Sequence, residues 1–458
     1  MIRYCTFCKF SIISAIIFLG LSILAYSIYK DVAKVPDMPD IDYDVWWGQN
    51  TTQTQDTSIR PYRVVFTDAV SFYIFDWFLY FGLKVSGSPT PFPTPPHPTS
   101  KPFPIPPTKT FPRRVDVRQY SFRQQPKFLN KFEHYKTNIQ GLDMHYIHVK
   151  PKVNKNVIVL PLLLLHGWPG SVREFYEAIP LLTEPREGYN FVFEIVAPSL
   201  PGFIFSEAPY RPGLSPHQMA IIMRNLMQRL GHKKYYVQGG DFGHAIGSNM
   251  ATIFPDEILG FHTNLPVNFS KINLLTWIFG AICPSYVAGE FSDRWYPLAD
   301  KVNYYLEEFG YMHLQSTKPD TIGIALQDSP VGLAAYVLDR FMIFTDPANK
   351  LTTEGGLDKY FSYDKLLDNI MLYWISGSIT TAMRFYYFYR IPTSVPTWGL
   401  RFRHEIAYSP DFVLKWKYPN LVGTTNFDFG GHFAAFERPE EFSSDLFKAV
   451  KEFRKYSK

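Results

Sequence analysis

Cysteine is nearly absent: Cys5, Cys8 and Cys283 are the only three in a chain of 458 residues. A set this sparse and odd in number excludes a disulfide framework. Cys5 and Cys8 make a lone C-x-x-C with no second pair, weak as a metal or redox signal and simpler as incidental cysteines beside an apolar stretch. Clustered positive charge is missing too. The formal net charge is only +5, and no block of Lys and Arg gives a nucleic-acid footprint, so no nucleic-acid partner is expected. No internal repeat is evident. With 46% hydrophobic residues, the chain can bury one large core or two domains.

Against this background the N-terminus stands out. Residues 10–29 read "FSIISAIIFLGLSILAYSIY", without a charge. About 20 apolar residues suffice to span a bilayer. A cleaved signal peptide would be shorter and would end in a small-residue cleavage site, which "AYSIYKDVAKV" does not offer. Residues 1–34 are therefore expected to form a retained membrane anchor. Its orientation stays open, because Arg3 and Lys9 are opposed by Lys30 and Lys34. Residues 35–131 are read as a covering segment. In it, Trp46, Trp47, Gly48 and "SIRPYRV" look ordered, whereas residues 88–112 are proline-dense and read as an extended linker.

From about Phe132 the pattern becomes α/β. "VIVLPLLLL", "FVFEIVAP", "KYYVQGGD" and "ILGFHTNLP" are apolar runs of buried-strand type. "SPHQMAIIMRNLMQRLG" is a helix in which Ser215 and Gln218 predict a capping box, Pro216 suits the first position and Gly231 the end. Strands alternating with helices predict a parallel sheet covered on both faces. Residues 132–267 make the first part of this core. Residues 268–389, rich in aromatics at helical spacing, are expected to be an inserted helical lid. Residues 390–458 return to the core, with short strands near 394–398 and 421–427.

The chemistry begins at "QGGDFG". A strand, a glycine-flanked turn and a helix form the layout of the G-x-S-x-G nucleophile elbow of α/β-hydrolases, but the central residue is Asp241. A carboxylate beside a helix N-terminus stays ionised and has no proton to lose. It can attack an alkylating carbon, such as that of an epoxide or a carbon–halogen bond, to give an ester. A histidine is then free to activate water for the second step. His432, in a glycine turn after the last expected strand, holds the chain position of the hydrolase histidine. An acid should orient it; Glu405 is favoured by its place after "VPT", with Asp411 and Asp428 as competitors. In "HGWPG" (His166 to Gly170) the amide of Trp168, with that of Phe242, is a candidate for holding an oxyanion, and His166 reads as structural.

"LLLLHGWPGSVREFYEAIPLL", "QGGDFG", "GYMHLQSTKPDTIGIALQDSPVGLAAYVLDRF", "MLYWISGSITTAMRFYY" and "GGHFAAFERPE" together resemble the microsomal epoxide hydrolases, and "VPTWGLRFRHEI" looks most like their arthropod branch, the juvenile hormone epoxide hydrolases. The resemblance implies an α/β-hydrolase fold with an inserted helical lid and an N-terminal membrane anchor. It carries Asp241 as nucleophile, His432 as base and Glu405 as its acid partner. It also implies that two lid tyrosines, Tyr311 and Tyr386, donate hydrogen bonds to the opening epoxide oxygen, with Tyr387 and Tyr389 as near rivals of Tyr386. The implied substrate is a small lipophilic epoxide, terpenoid or foreign, and the implied site is the endoplasmic reticulum membrane. No cofactor or metal ligand is expected, and nothing in the sequence sets the oligomeric state. The sequence departs from the family at Phe242, usually Trp; at Ile204, usually Gly; in the short connection after Tyr386; and in the proline-rich run. Two other readings are a dehalogenase, disfavoured by Phe242, and a non-catalytic lipid binder on the same fold.

Overall fold

The computed structural model describes residues 41–49, 56–65, 125–352, 355–384 and 391–456, with isolated positions 26, 30, 34 and 38. The proline-rich stretch, all but Tyr26 of the 10–29 apolar run, and Tyr386 with Tyr387 and Tyr389 lie outside the described residues. Among the described residues, no helix is long and apolar enough to cross a membrane.

The frame is one nine-stranded sheet in the order β1-β2-β3-β5-β4-β6-β7-β8-β9. Its strands are β1 (Arg60–Tyr62), β2 (His134–Ile139), β3 (Leu142–Val149), β4 (Ile158–Leu165), β5 (Phe191–Pro198), β6 (Tyr235–Gly239), β7 (Ile258–Thr263), β8 (Thr397–Arg401) and β9 (Leu421–Asn426). From β5 through β9 neighbouring strands are parallel. The expected all-parallel sheet is corrected on the other side, where β1, β2, β3 and β5 pair antiparallel. The β2–β3 hairpin turns through Gln140 and Gly141, both with positive φ (51° and 86°), as a two-residue turn between twisted strands requires.

The described N-terminal segment lies on that turn. The Trp47 amide donates to the Gln140 carbonyl at 2.8 Å, and Trp47 is buried. Gly48 approaches so closely that a Cβ there would sit 2.5 Å from the Gly141 carbonyl oxygen. The segment then adds β1 to the sheet edge.

The four leucines 162–165 of β4 are fully buried between layers, the composition expected of a strand covered on both faces. The covering helices include α1 (Pro216–Arg229) and α2 (Phe242–Ile253). Helix α1 begins at Pro216 and is followed, after its cap residue Leu230, by Gly231 (φ 89°), but the capping box does not form. Ser215 Oγ contacts the His217 ring instead, and the Gln218 side chain donates to the Asp42 carbonyl. A nearby ring and the N-terminal segment outcompete the local cap.

Between β7 and β8 the chain runs through a series of helices, among them α3 (Gly310–Thr317), α4 (Pro330–Thr345) and α5 (Tyr363–Ser376). Ser329 and Ser362 accept from Gly332 and Lys365 amides to start α4 and α5, and Gly377 (φ 66°) stops α5. Buried α4 and α5 residues such as Phe341 and Ile370 belong to the same apolar cluster as the sheet. Helix α6 (Pro439–Phe453) closes the fold by burying Phe442, Leu446, Val450 and Phe453 at helical spacing.

Candidate active site

Four loops at the carboxyl ends of parallel strands β4, β6, β8 and β9 converge, the edge where α/β sheets form their sites. The elbow between β6 and α2 is shaped by glycine. A Cβ on Gly239 would lie 2.2 Å from the Gly243 carbonyl oxygen, and one on Gly243 would lie 2.0 Å from that of Leu165. Only bare backbones fit this crossing. Asp241 at its apex has φ 50° and ψ −123°, a left-handed setting that costs a side-chain-bearing residue about 1–3 kcal/mol and pushes the carboxylate out of the turn.

The loop after β4 meets that carboxylate. A Cβ on Gly167 would sit 2.3 Å from Asp241 Cβ, so glycine there lets the next residue approach. The Trp168 amide donates to Asp241 Oδ1 at 2.9 Å. Phe242 is the first residue of α2, where amides have no partner within the helix. His166 supports the loop from beneath: its Nδ1 faces the Gly167 carbonyl at 3.0 Å and its Nε2 accepts from the Leu200 amide at 3.1 Å. Burial pushes the His166 pKa down to about 4, which keeps this ring neutral.

On the other carboxylate oxygen stands His432. Its Nε2 is 3.4 Å from Asp241 Oδ2, and its Nδ1 is 2.6 Å from Glu405 Oε1. The same Glu405 oxygen accepts from the Ile406 amide at 2.8 Å. Of the three acids weighed, Glu405 alone reaches the imidazole. Asp411 pairs with Arg401 at 2.7 Å, and Asp428 is exposed. Burial opposes a charged His432, but the Glu405 and Asp241 carboxylates outweigh it and raise the pKa well above the usual imidazole value. A cavity of about 20 Å³, bordered by Trp168, Glu174, Asp241, Asn264 and His432 among others, is large enough for one water molecule.

The lid delivers Tyr311. Its ring stacks on the Trp168 indole (centroids 5.4 Å, planes 12° apart), meets Phe344 at 5.6 Å and lies under the Arg340 guanidinium at 5.0 Å. Burial, then the charge of Asp241, raises the phenol pKa, so the hydroxyl remains a donor.

Several side chains that sequence reasoning passed over hold these loops. Asn369 Nδ2 donates to the Pro169 carbonyl at 2.7 Å, Ser171 Oγ donates to Asn369 Oδ1 at 2.7 Å, and Tyr373 Oη donates to the Gly170 carbonyl at 2.6 Å. One face of α5 thus fastens the turn that carries the Trp168 amide. Glu437 accepts from the Gly431 and Phe433 amides at 2.9 and 3.0 Å, clamping the chain on both sides of His432. Burial pushes the carboxyls of Glu174 and Glu437 up to about 8. Spacing does not reveal the contacts of Ser171 with Asn369 or of Tyr373 with Gly170, which join positions about 200 residues apart. Glu437, only four and six residues from its partners, stands inside "GGHFAAFERPE", which carries the resemblance alone and does not reveal the clamp.

A mixed sheet with an aspartate elbow, an amide facing the carboxylate and a histidine backed by a glutamate defines an α/β-hydrolase with a carboxylate in the nucleophile position. The comparisons narrow this class. Residues 114–175 match the family described as "Epoxide hydrolase N terminus", and residues 161–290 match "alpha/beta hydrolase fold". The chain is 46% identical to juvenile hormone epoxide hydrolase 2 of Ctenocephalides felis, over 95% of this chain and 94% of that one. It is 37% identical to epoxide hydrolase 1 of Sus scrofa, over 93% and 96%. The crystal structure of juvenile hormone epoxide hydrolase from Bombyx mori superposes with a TM-score of 0.81 at 44% identity, covering 91% of this chain and all of that one. The chain belongs to the epoxide hydrolase family.

Proposed function

We propose that this protein hydrolyses lipophilic epoxides to vicinal diols in two steps, through an ester on Asp241. The observation that carries the reading is the pair of contacts on its carboxylate: a backbone amide on Oδ1 and an imidazole on Oδ2. With Oδ1 already held by the Trp168 amide, Oδ2 is the attacking atom. It forms a bond to the less hindered epoxide carbon as the carbon–oxygen bond breaks, and the lid phenols Tyr311 and Tyr386 supply the proton to the leaving oxygen. Asp241 is neutral in the resulting ester. One of the two charges that raise the His432 pKa is then gone, and the imidazole becomes available as a base at the moment a base is needed. His432 takes a proton from water, the hydroxide adds to the ester carbonyl, and the oxyanion develops on Oδ1 against the amides of Trp168 and Phe242. Collapse expels the diol oxygen, which takes the proton back from His432; Asp241 retains the water's oxygen, and the proton left on its carboxyl returns to the tyrosinate formed in the first step, which restores both groups. Glu405 holds the ring and stabilises its charged form.

The substrate is proposed to be an apolar terpenoid epoxide of the juvenile hormone type or a foreign lipophilic epoxide. The names of the relatives support this, as do the aromatic rings of lid residues Tyr311 and Phe344 with Trp168 of the loop after β4. Residues 10–29 are proposed to anchor the enzyme in the endoplasmic reticulum membrane, where such compounds partition. Turnover of purified protein on a terpenoid epoxide, with diol identified as product and activity abolished by Asp241→Ala, is the expected result. A higher kcat/KM for small polar epoxides would overturn the substrate class. Release of full-length protein from membranes by alkaline carbonate would overturn the anchor.

A further inference from the structure

Three side chains of metal-ligating type meet far from the catalytic loops. His148 belongs to β3, Glu194 to β5, and His232 to the turn between α1 and β6. Their donor atoms all lie within 4.8 Å of one another. Nε2 of His148 is 2.7 Å and Nε2 of His232 is 3.5 Å from the same atom, Glu194 Oε1. The two imidazoles stand nearly perpendicular, with centroids 6.5 Å apart and planes at 81°. The side chains are 10%, 16% and 13% exposed for His148, Glu194 and His232. The cluster is therefore neither sealed core nor solvated surface, and a dissolved ion can reach it. His232 Nε2 is itself shielded from solvent, and its partner is the Glu194 carboxylate at the long distance of 3.5 Å. A contact that long is weak, and a metal bond would replace it with a shorter one.

We propose that His148, Glu194 and His232 form a binding site for a divalent ion of the zinc type, with three protein ligands and a fourth position open to water. Two imidazole nitrogens and one carboxylate oxygen suit zinc, whereas magnesium and calcium prefer oxygen alone. Bonds of about 2.0–2.1 Å in a tetrahedral shell put ligand atoms about 3.3 Å apart. The 3.5 Å separation already fits, the 2.7 Å one needs to open by less than about 1 Å, and the two imidazoles, whose ligand atoms lie within 4.8 Å of each other, need to close by up to about 1.5 Å. Lys150 Nζ is 4.0 Å from Glu194 Oε1, but its side chain is 73% exposed and can swing into solvent.

The site is structural. It ties together β3, β5 and the turn that feeds β6. Glu194 precedes the end of β5 by four residues, about 13 Å short of the edge that carries the catalytic loops. An ion bound to the folded chain alone stabilises it by mass action. The test titrates the purified full-length chain with zinc chloride against a chromophoric zinc indicator and follows Tm in parallel. The same titration is run on Cys5→Ser/Cys8→Ser, which removes a thiol pair also able to bind zinc. One ion per chain is expected in both, with Tm rising on addition. His148→Ala and His232→Ala, each on the Cys5→Ser/Cys8→Ser background, weaken binding by about tenfold or more and abolish the Tm rise. If His148→Ala does not fold, His232→Asn in the turn carries the test alone. No uptake, uptake that disappears with Cys5 and Cys8, or uptake untouched by the histidine substitutions overturns the proposal.

Discussion

Replacing Glu405 with Gln separates the two chemical steps. The Glu405 side chain is 1% exposed, and its Oε1 lies 2.6 Å from His432 Nδ1. Glutamine preserves shape and can still accept from Nδ1–H, so the ring keeps its orientation and tautomer. The negative charge is what disappears. A charge-assisted hydrogen bond is worth about 1–2 kcal/mol more than a neutral one. Charges about 4 Å apart at an effective dielectric near 20 interact by about 4 kcal/mol. Together these bracket a loss of about 2–4 kcal/mol in the transition state that creates the imidazolium, or roughly 30- to 1000-fold in ester hydrolysis. Attack by Asp241 needs no base, so the alkylation rate should change by less than about threefold. Rapid-quench kinetics with enzyme in excess should show a fast burst of ester on the Asp241 peptide, then slow diol release. The pH profile supplies a second readout. Glu405 raises the His432 pKa, so its neutralisation lowers that pKa, and the acid limb of hydrolysis moves to lower pH. Equal slowing of both steps, or an acid limb that does not move, would refute the reasoning.

Three further substitutions probe the rest of the site. Tyr311→Phe keeps the stack on Trp168 but removes the phenol donor; alkylation should slow by about 10- to 100-fold without ester build-up, and an unchanged alkylation rate would remove Tyr311 from the first step. Gly167→Ala places a methyl 2.3 Å from Asp241 Cβ, which displaces the Trp168 amide and should lower kcat by about 100-fold or more, with circular dichroism unchanged; near-normal kcat would show that this amide is dispensable. Glu174→Gln tests the buried carboxyl whose pKa burial pushes up to about 8 from the ordinary 4.5. A raised folded pKa contributes stability below pH 4.5 that is lost as pH rises through about 8, so the denaturation midpoint of the variant should gain on the parent steadily over that window. A gap independent of pH would contradict the burial of this acid.

The parts of the fold that were legible in the sequence are those whose signals are local. Gly239, Gly240 and Gly243 around Asp241 announce a crossing too tight for side chains, and the leucines of β4 announce a strand covered on both faces. The β2–β3 hairpin escaped notice because its turn is Gln140–Gly141, without the Asn or Asp that usually marks two consecutive positive φ values. The strand expected at 394–398 is shifted to Thr397–Arg401 because Pro396 has no amide to donate to the ladder. Ile204 was legible as a departure but not as strain. Its φ is 48°, a setting unusual for a β-branched residue, and the observation explains physically why glycine suits that position. Tyr311 was chosen by resemblance alone. What places it is a stack on an indole 143 residues earlier in the chain, and no spacing rule reaches that far.

The central claim is that water attacks Asp241 and not the epoxide. The most direct measurement is a single turnover in heavy-oxygen water with enzyme in excess, followed by mass analysis of the diol and of the peptide containing Asp241. The account predicts mostly unlabelled diol and label in the Asp241 carboxylate, because the diol's new oxygen comes first from the enzyme. Label in the diol from the first turnover, with none on Asp241, would contradict it.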